Sequence, residues 1–242
     1  MDTVAIIQAR MSSMRLPGKI LAPLGNSTVL GWTVRAAQHA ETVDLVVVAT
    51  STDVEDDATE AECERLLVPV VRGPLEDVLG RYVIAARRYP AAAYVRLTAD
   101  CPLLDPGIID QCVTLLQHSP ALDFTSNAIL ASFPRGFDVE VMTASALEQA
   151  NAAATGFHRV HVTSWITDHP EIFRIAGIVG TLGAQDLRVT VDTKEDLQVV
   201  RSIVDALGDR VLDATAVTFW LRNHPEVVAL NRDVLQKELN QG

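Results

Sequence analysis

The fold is decided in TVAIIQARMSSMRLPGK, residues 3–19. Its first seven residues, Thr3 to Ala9, form an apolar, partly β-branched run of strand length. A polar loop follows, carrying Arg10, Arg15 and Lys19 within ten residues of a chain whose formal net charge is -11. Similar strand-like runs recur at 44–51, 68–72 and 93–99, with helix-period patterns at 28–40, 53–66, 74–89 and 106–117. Near-continuous apolar strands separated by helices imply a mostly parallel sheet covered on both faces. Ligands of such sheets sit beyond the carboxyl ends of the strands. That rule marks the loops at 10–27, 50–53 and 99–105.

Farther along, the rhythm changes. Residues 123–127, the turn FPRG at 133–136 and the run 138–142 predict a hairpin-like excursion. Helices are expected at 145–154 and 157–168, and a strand at 173–179. The chain reads as one domain, 1–242, with 120–180 as a partly inserted subdomain. RVTVD at 188–192 reads as a return to the main sheet, and helices at 214–222 and 225–239 close the chain. Helix starts are marked by capping boxes at Thr52–Glu55 and Thr193–Asp196 and by Pro106.

With 48% hydrophobic and 21% charged residues, the composition is that of a globular protein and excludes general disorder. The acidic balance argues against nucleic acid or an anionic membrane as partner. Cys63, Cys101 and Cys112 are widely spaced and form no C-x-x-C, which favours a reducing cytoplasm over disulfides or structural zinc. Neither a signal peptide nor a membrane span is read.

The cationic loop lacks both the G-x-G-x-x-G dinucleotide pattern and the P-loop, since Gly18 is the only glycine before Gly25. It offers charge instead: forked donors from Arg10 and Arg15, and Lys19 aimed by a Pro-Gly turn. Backbone N–H groups of Met11, Ser12 and Ser13 add a potential anion nest. A solvated loop whose arginines pair with surface acids is the plainer alternative. Asp100 and Asp192 each end a strand-like run. Each is placed either to hold a cation over the sheet or to cap the following turn.

The loop QARMSSMRLPGK closely resembles the signature of the cytidylyltransferases that make CMP-linked acidic sugars. It is most similar to the spore-coat polysaccharide F-type proteins, relatives of the CMP-sialate and CMP-Kdo synthetases. The likeness continues through VVVATS (46–51), RGPLEDVLGRY (72–82), VRLTADCPLLDP (95–106), SNAILASFPRGFDVEV (126–141), HVT (161–163) and VDTKEDL (191–197). It implies a Rossmann-like α/β fold of the nucleotide-diphospho-sugar transferase type with a small dimerisation subdomain, hence a homodimer. It also implies a Mg²⁺-dependent enzyme that takes CTP and a small anionic acceptor, either an acid sugar of nonulosonic type or a phosphonate or other acidic metabolite.

By the resemblance, Gln8, Ala9, Arg10, Met11, Ser12, Ser13, Arg15 and Lys19 hold the nucleotide. Arg10, Arg15, Lys19 and Asp100 form the catalytic set, and Asp100 with Asp192 binds the metal. Arg72 and Asp77 match a segment near the base, although Arg72 can equally pair with Glu76. Asn127, Arg135, Asp138, Glu140, Arg159 and His161 are the acceptor candidates, with a satisfied core amide as the alternative for Asn127. Met14 stands where the family has a small hydroxyl residue, and Val160 where relatives carry a glutamate; the second change bears on the acceptor. Two rivals remain. A nucleotide-sugar glycosyltransferase would show a D-x-D pair where this chain has Asp100-Cys-Pro, and a non-catalytic binding subunit would be expected to lose Lys19 or Asp100.

Overall fold

A computed structural model describes residues 2–180 and 183–235. Its nine strands are β1 (Thr3–Gln8), β2 (Pro23–Leu24), β3 (Ser27–Thr28), β4 (Leu45–Ser51), β5 (Val70–Gly73), β6 (Ala93–Thr98), β7 (Phe124–Ser126), β8 (Glu140–Thr143) and β9 (Ile175–Gly177). Seven of them form one sheet in the order β5-β4-β1-β6-β8-β7-β9, while β2 and β3 make a small hairpin. The pairs β5-β4, β4-β1, β1-β6 and β7-β9 are parallel, and β8 runs antiparallel to both its neighbours. The sheet is therefore mostly parallel, as the alternation of strands and helices requires.

The helices are α1 (Val29–His39), α2 (Asp57–Arg65), α3 (Val78–Arg88), α4 (Pro106–Gln117), α5 (Ala144–Ala153), α6 (Phe157–Val160), α7 (Ser164–Thr167), α8 (Lys194–Leu207), α9 (Ala214–Arg222) and α10 (Pro225–Val228). They cover both faces. Within β1, Ala5 and Ile7 join a core shared with α1, α4 and α8, whereas Val4 and Ile6 join another shared with α3 and α5. Alternate side chains of one strand thus feed two cores, which is why the run is apolar throughout. After β1 the chain builds outward through β4 and β5, then returns to place β6 on the other side of β1. That reversal opens a crevice at the carboxyl ends of β1 and β6, where the cationic loop and Asp100 emerge.

Four local expectations are corrected. The box at Thr52–Glu55 does not form: a 3₁₀ turn, Val54–Asp56, precedes α2, and no side chain caps either. The helix expected at 157–168 breaks into α6 and α7, because Val162 takes a positive φ of 30° between them. A β-branched residue seldom adopts that conformation, and here it is fully buried. The run 188–192 forms no strand of the sheet. The edge of β6 it would need is occupied by β8, so it makes single bonds past the strand ends, Val191 N–H to Asp100 O at 2.8 Å and Val189 N–H to Arg135 O at 2.7 Å. The last helix stops at Val228, and residues 236–239 of its expected span lie outside the described residues. The box at Thr193–Asp196 is present and opens α8, and Pro106 lies in the first turn of α4 behind Asp105 as its cap.

Candidate active site

The loop after β1 is pinned from behind. Ala9 N–H bonds Ala49 O of β4 at 3.1 Å, and Met11 N–H bonds the Asp56 carboxylate at 2.7 Å. The Met11 carbonyl in turn accepts from Ser13 and Gly18 N–H groups at 2.9 and 3.0 Å. Gly18 sits at φ 71°, a left-handed turn that suits glycine and starts the 3₁₀ turn Lys19–Leu21. The side chain of Lys19 is thereby carried under the loop, where the residue is only 8% exposed.

Lys19 Nζ lies 2.7 Å from Asp100 Oδ2 and 2.7 Å from Asp192 Oδ1. The two acids thus meet across one ammonium although 92 positions separate them in sequence (192 − 100). The other oxygen of Asp192 takes Arg15 at 2.9 Å and Arg188 at 2.6 Å. Burial works against the Asp192 carboxylate, but Lys19, Arg15 and Arg188 outweigh it and hold the group down to about 2. Asp100 is lowered too: burial and Asp192 oppose its charge, and Lys19 prevails. The same pairs overcome burial at Lys19 and raise it. All three groups are charged at neutral pH.

This cluster divides a cleft into two lobes. The first, about 730 Å³, is walled by the loop from Gln8 to Ile20 and by Leu75, Glu76, Val78 and Arg81. The second, about 1110 Å³, is walled by Asn127, Arg135, Asp138, Glu140, Arg188 and the segment from Leu221 to Val234, among others. Arg15, Thr98, Asp100, His161 and Asp192 belong to both walls. Anything held in one lobe therefore meets the contents of the other at Asp100 and Asp192.

Most sequence-predicted residues come together here. Gln8, Ala9, Arg10, Met11, Ser12, Ser13, Arg15 and Lys19 line the first lobe. Asn127, Arg135, Asp138, Glu140 and His161 line the second. Arg135 is exposed on a turn made possible by Gly136, whose φ is 109° and whose place any Cβ would bring within 2.5 Å of Thr190 N. Burial raises the Asp138 carboxyl, with Arg135 partly offsetting it. Glu140 is held by Arg96 and by the Thr163 hydroxyl at 2.8 Å, just past the Val162 turn. Asn127 spends both ends of its amide on the backbone, donating to Phe137 O at 2.7 Å and accepting from Val139 N–H at 2.8 Å. It is a satisfied core amide that shapes the wall.

Three candidates fall elsewhere. Arg72 turns to α2, pairing with Asp57 and Glu60 at 2.7 Å and with the Ser51 and Asp53 carbonyls at 2.8 Å, and not with Glu76. Asp77 caps α3 and receives a two-pronged bond from Arg159 at 2.8 and 2.7 Å. The segment 72–82 does reach the first lobe, through Leu75, Glu76, Val78 and Arg81. Buried Arg81 fixes that segment by donating to the Pro74 and Leu75 carbonyls, both at 2.7 Å.

Sequence reasoning also passed over Arg188 and the depth of Asp196. The Asp196 carboxylate is fully buried and gathers Arg188 Nε at 2.8 Å, Asn231 Nδ2 at 2.9 Å and the Asp192 N–H at 3.0 Å. The capping box was the visible signal of that node. Cys101, beside Asp100, is raised by burial and then by the charge of Asp100, so it stays a packed thiol. For a metal, the fitting donors are Asp100 and Asp192. No third His, Cys, Asp or Glu completes a cluster among the described residues. Carboxylate oxygens are the donors that hard cations take, and here both groups are paired with Lys19, Asp192 also with Arg15 and Arg188.

Known proteins share this fold over nearly the whole chain. The cytidylyltransferase family model matches residues 4–234. Spore coat polysaccharide biosynthesis protein SpsF of Bacillus subtilis (strain 168) is 33% identical over 235 residues, covering 93% of this chain and 96% of that one. A cytidylyltransferase structure from Leptospira borgpetersenii serovar Hardjo-bovis superposes with a TM-score of 0.91 at 30% identity, over 98% of this chain and 100% of that one. CMP:2-keto-3-deoxy-manno-octonic acid synthetase, solved with CTP, shares the fold at a TM-score of 0.67 and 17% identity, over 86% and 100%. With a cation loop facing Asp100 and Asp192 and a family model matched over nearly its whole length, the chain belongs to the cytidylyltransferase family.

Proposed function

We propose that the protein transfers CMP from CTP to a small anionic acceptor and releases pyrophosphate. The observation that carries this reading is the Lys19 ammonium between Asp100 and Asp192, at the junction of the two lobes. With the triphosphate on the loop, the wall from Leu75 to Arg81 is left for ribose and base. The α-phosphorus then lies near the junction, and an acceptor oxygen approaches from the other lobe. Such an arrangement suits in-line displacement. The oxygen bonds to the α-phosphorus, a hydroxyl acceptor giving up its proton to solvent, while the bond to the bridging oxygen breaks and its electron pair leaves with pyrophosphate. Arg10, Arg15 and Lys19 supply the positive charge that this leaving group needs. When bound by Asp100 and Asp192, Mg²⁺ would add charge neutralisation on the phosphates.

The acceptor is read from the second lobe. Arg135 is presented on its turn for a carboxylate or phosphonate, while Asp138 and His161 share the same wall. The names of two relatives, one in coat polysaccharide biosynthesis and one for an octonic acid synthetase, support an acid sugar. A nonulosonic-type acid is therefore the first choice, and a phosphonate or other acidic metabolite the second. A homodimer through the 120–180 segment is supported by exposed Ile129, Leu130 and Val179 near the edge strand β9. A reducing cytoplasm is supported by three buried free cysteines. No helix of the described residues is long and apolar enough to cross a membrane.

Pyrophosphate release from each nucleoside triphosphate, measured with a panel of acidic acceptors, tests the proposal. CTP-selective release that disappears in Asp100→Ala is the expected result. Consumption of a nucleotide sugar without pyrophosphate would establish the glycosyltransferase instead, and CTP binding without turnover on any acceptor would favour a binding subunit.

A further inference from the structure

Asp56 is a buried acid, 1% exposed, that the reaction above does not use. It stands where α2 begins, yet it makes no capping bond to that helix. Its two oxygens are committed elsewhere. Oδ2 accepts from the Ser51 N–H at 3.2 Å and from the Ser51 hydroxyl, and Oδ1 accepts from the Thr59 hydroxyl at 3.1 Å. Those donors are local. The remaining one, Met11 N–H at 2.7 Å on Oδ1, comes from 45 residues away, in the loop that lines the first lobe.

A carboxylate buried this deeply requires several donors, and a bond to an ionised acceptor is stronger than a neutral one. The loop amide is thus held by a charge fixed to the β4–α2 connection. Met11 is gripped at both ends, since its carbonyl accepts from Ser13 and Gly18. Arg10 is consequently strung between two anchored neighbours, Ala9 and Met11. A loop ordered before its ligand arrives does not have to be ordered by it, which lowers the cost of binding.

We propose that Asp56 is a positioning residue for the nucleotide: through the Met11 amide it keeps the 8–19 loop in its phosphate-gripping form in the free protein. The inference rests on the reading that this loop holds the triphosphate of CTP. Asp56→Asn preserves shape but replaces an ionised acceptor with a neutral amide. The Kd for inorganic triphosphate, by calorimetry, and the KM for CTP should rise about tenfold, while kcat stays within about threefold. Hydrogen exchange at the Met11 amide should accelerate in the free variant and slow again with Mg²⁺ and CTP.

Thr59→Ala removes a donor to the same carboxylate without touching the loop. It should lower stability yet leave Kd and KM within about twofold. An equal rise in Kd with Thr59→Ala, or an unchanged Kd with Asp56→Asn, would overturn the proposal. Should Asp56→Asn fail to fold, exchange in the wild-type protein without nucleotide decides the matter. A Met11 amide protected at least about tenfold supports the anchor, and an unprotected one refutes it. A wild-type protein that binds neither inorganic triphosphate nor CTP would instead overturn the nucleotide reading, while Met11 exchange would still report on the anchor.

Discussion

The two lobes of the cleft are built in opposite ways. The lobe proposed for the nucleotide takes most of its positive charge from one continuous segment, Arg10 to Lys19, whose backbone is bonded from behind. The lobe proposed for the acceptor is assembled from distant pieces: the end of β6, the 127–140 excursion, His161, the 185–192 run and the segment after Leu221. Its arginines are largely spoken for, Arg96 by Glu140, Arg188 by Asp192 and Asp196, and Arg222 by Asp186. On the proposed reading the loop grips a triphosphate, which presents the same geometry whatever sugar it activates, so a short segment suffices. An acceptor is particular, and its recognition is spread over the tertiary structure.

Breaking the junction should damage both lobes at once. Lys19→Ala removes the cation that joins Asp100 to Asp192, and kcat/KM for pyrophosphate release should fall by about a thousandfold or more. Retention of a tenth of the activity would show that the junction is structural. Arg135→Ala should act on one lobe alone. The acceptor KM should rise roughly ten- to a hundredfold, with the CTP KM within about twofold, as separate titrations of the two substrates will show.

A third test concerns acid. The folded-state value of Asp192 lies below its ordinary 3.8, at about 2. Its stabilising contribution is therefore complete above the unfolded value and disappears as pH falls through the folded one. In urea unfolding without nucleotide, wild type should exceed Asp192→Asn by about 2 kcal/mol at pH 6. The gap should narrow below pH ~4 and close near pH ~2. A gap that persists at pH ~2 would mean that the carboxylate charge is not its source. The smallest effect belongs to Arg72, which lies outside both lobes. Arg72→Ala should cost about 1 kcal/mol of stability through its bonds to α2 and leave the CTP KM within about twofold. A tenfold rise in that KM would return Arg72 to the nucleotide lobe.

What could be read from the sequence follows the same division. β1, β4, β5, β6 and helices α1 to α4 were legible because each repeats one local pattern, apolar throughout for a two-sided strand and 3.6-periodic for a helix, whereas the two-residue strands β2 and β3 are too short to show one. The cations of the loop and Asp100 were legible because they follow directly from strand ends. RVTVD misled because its alternation is that of a strand, and only the three-dimensional order shows β8 already seated on β6. The Thr52–Glu55 box misled because Asp56, one residue on, turns inward to Ser51 and Met11. Arg72 was placed on the nucleotide because its segment does line the first lobe, whereas which side chain of a segment faces a cavity depends on neighbours far away in the chain. Val162, whose turn separates His161 from Thr163, carries no sequence signal at all.

The turn at Gly136 has a consequence for how this enzyme can change. Its backbone runs so close to residues 189–190 that Arg135 exchanges hydrogen bonds with Leu187 and Val189, in a bridge that also pairs it with Arg188. The turn that carries Arg135 and the stretch leading to Asp192 are laced together by these bonds. Sliding the turn to admit the bulkier acceptor that the proposed function allows would pull on the stretch that carries Asp192. New substrates are therefore to be sought by exchanging side chains on this frame, at Asp138, His161 or the wall beyond Leu221, and not by remodelling the loop that carries Arg135.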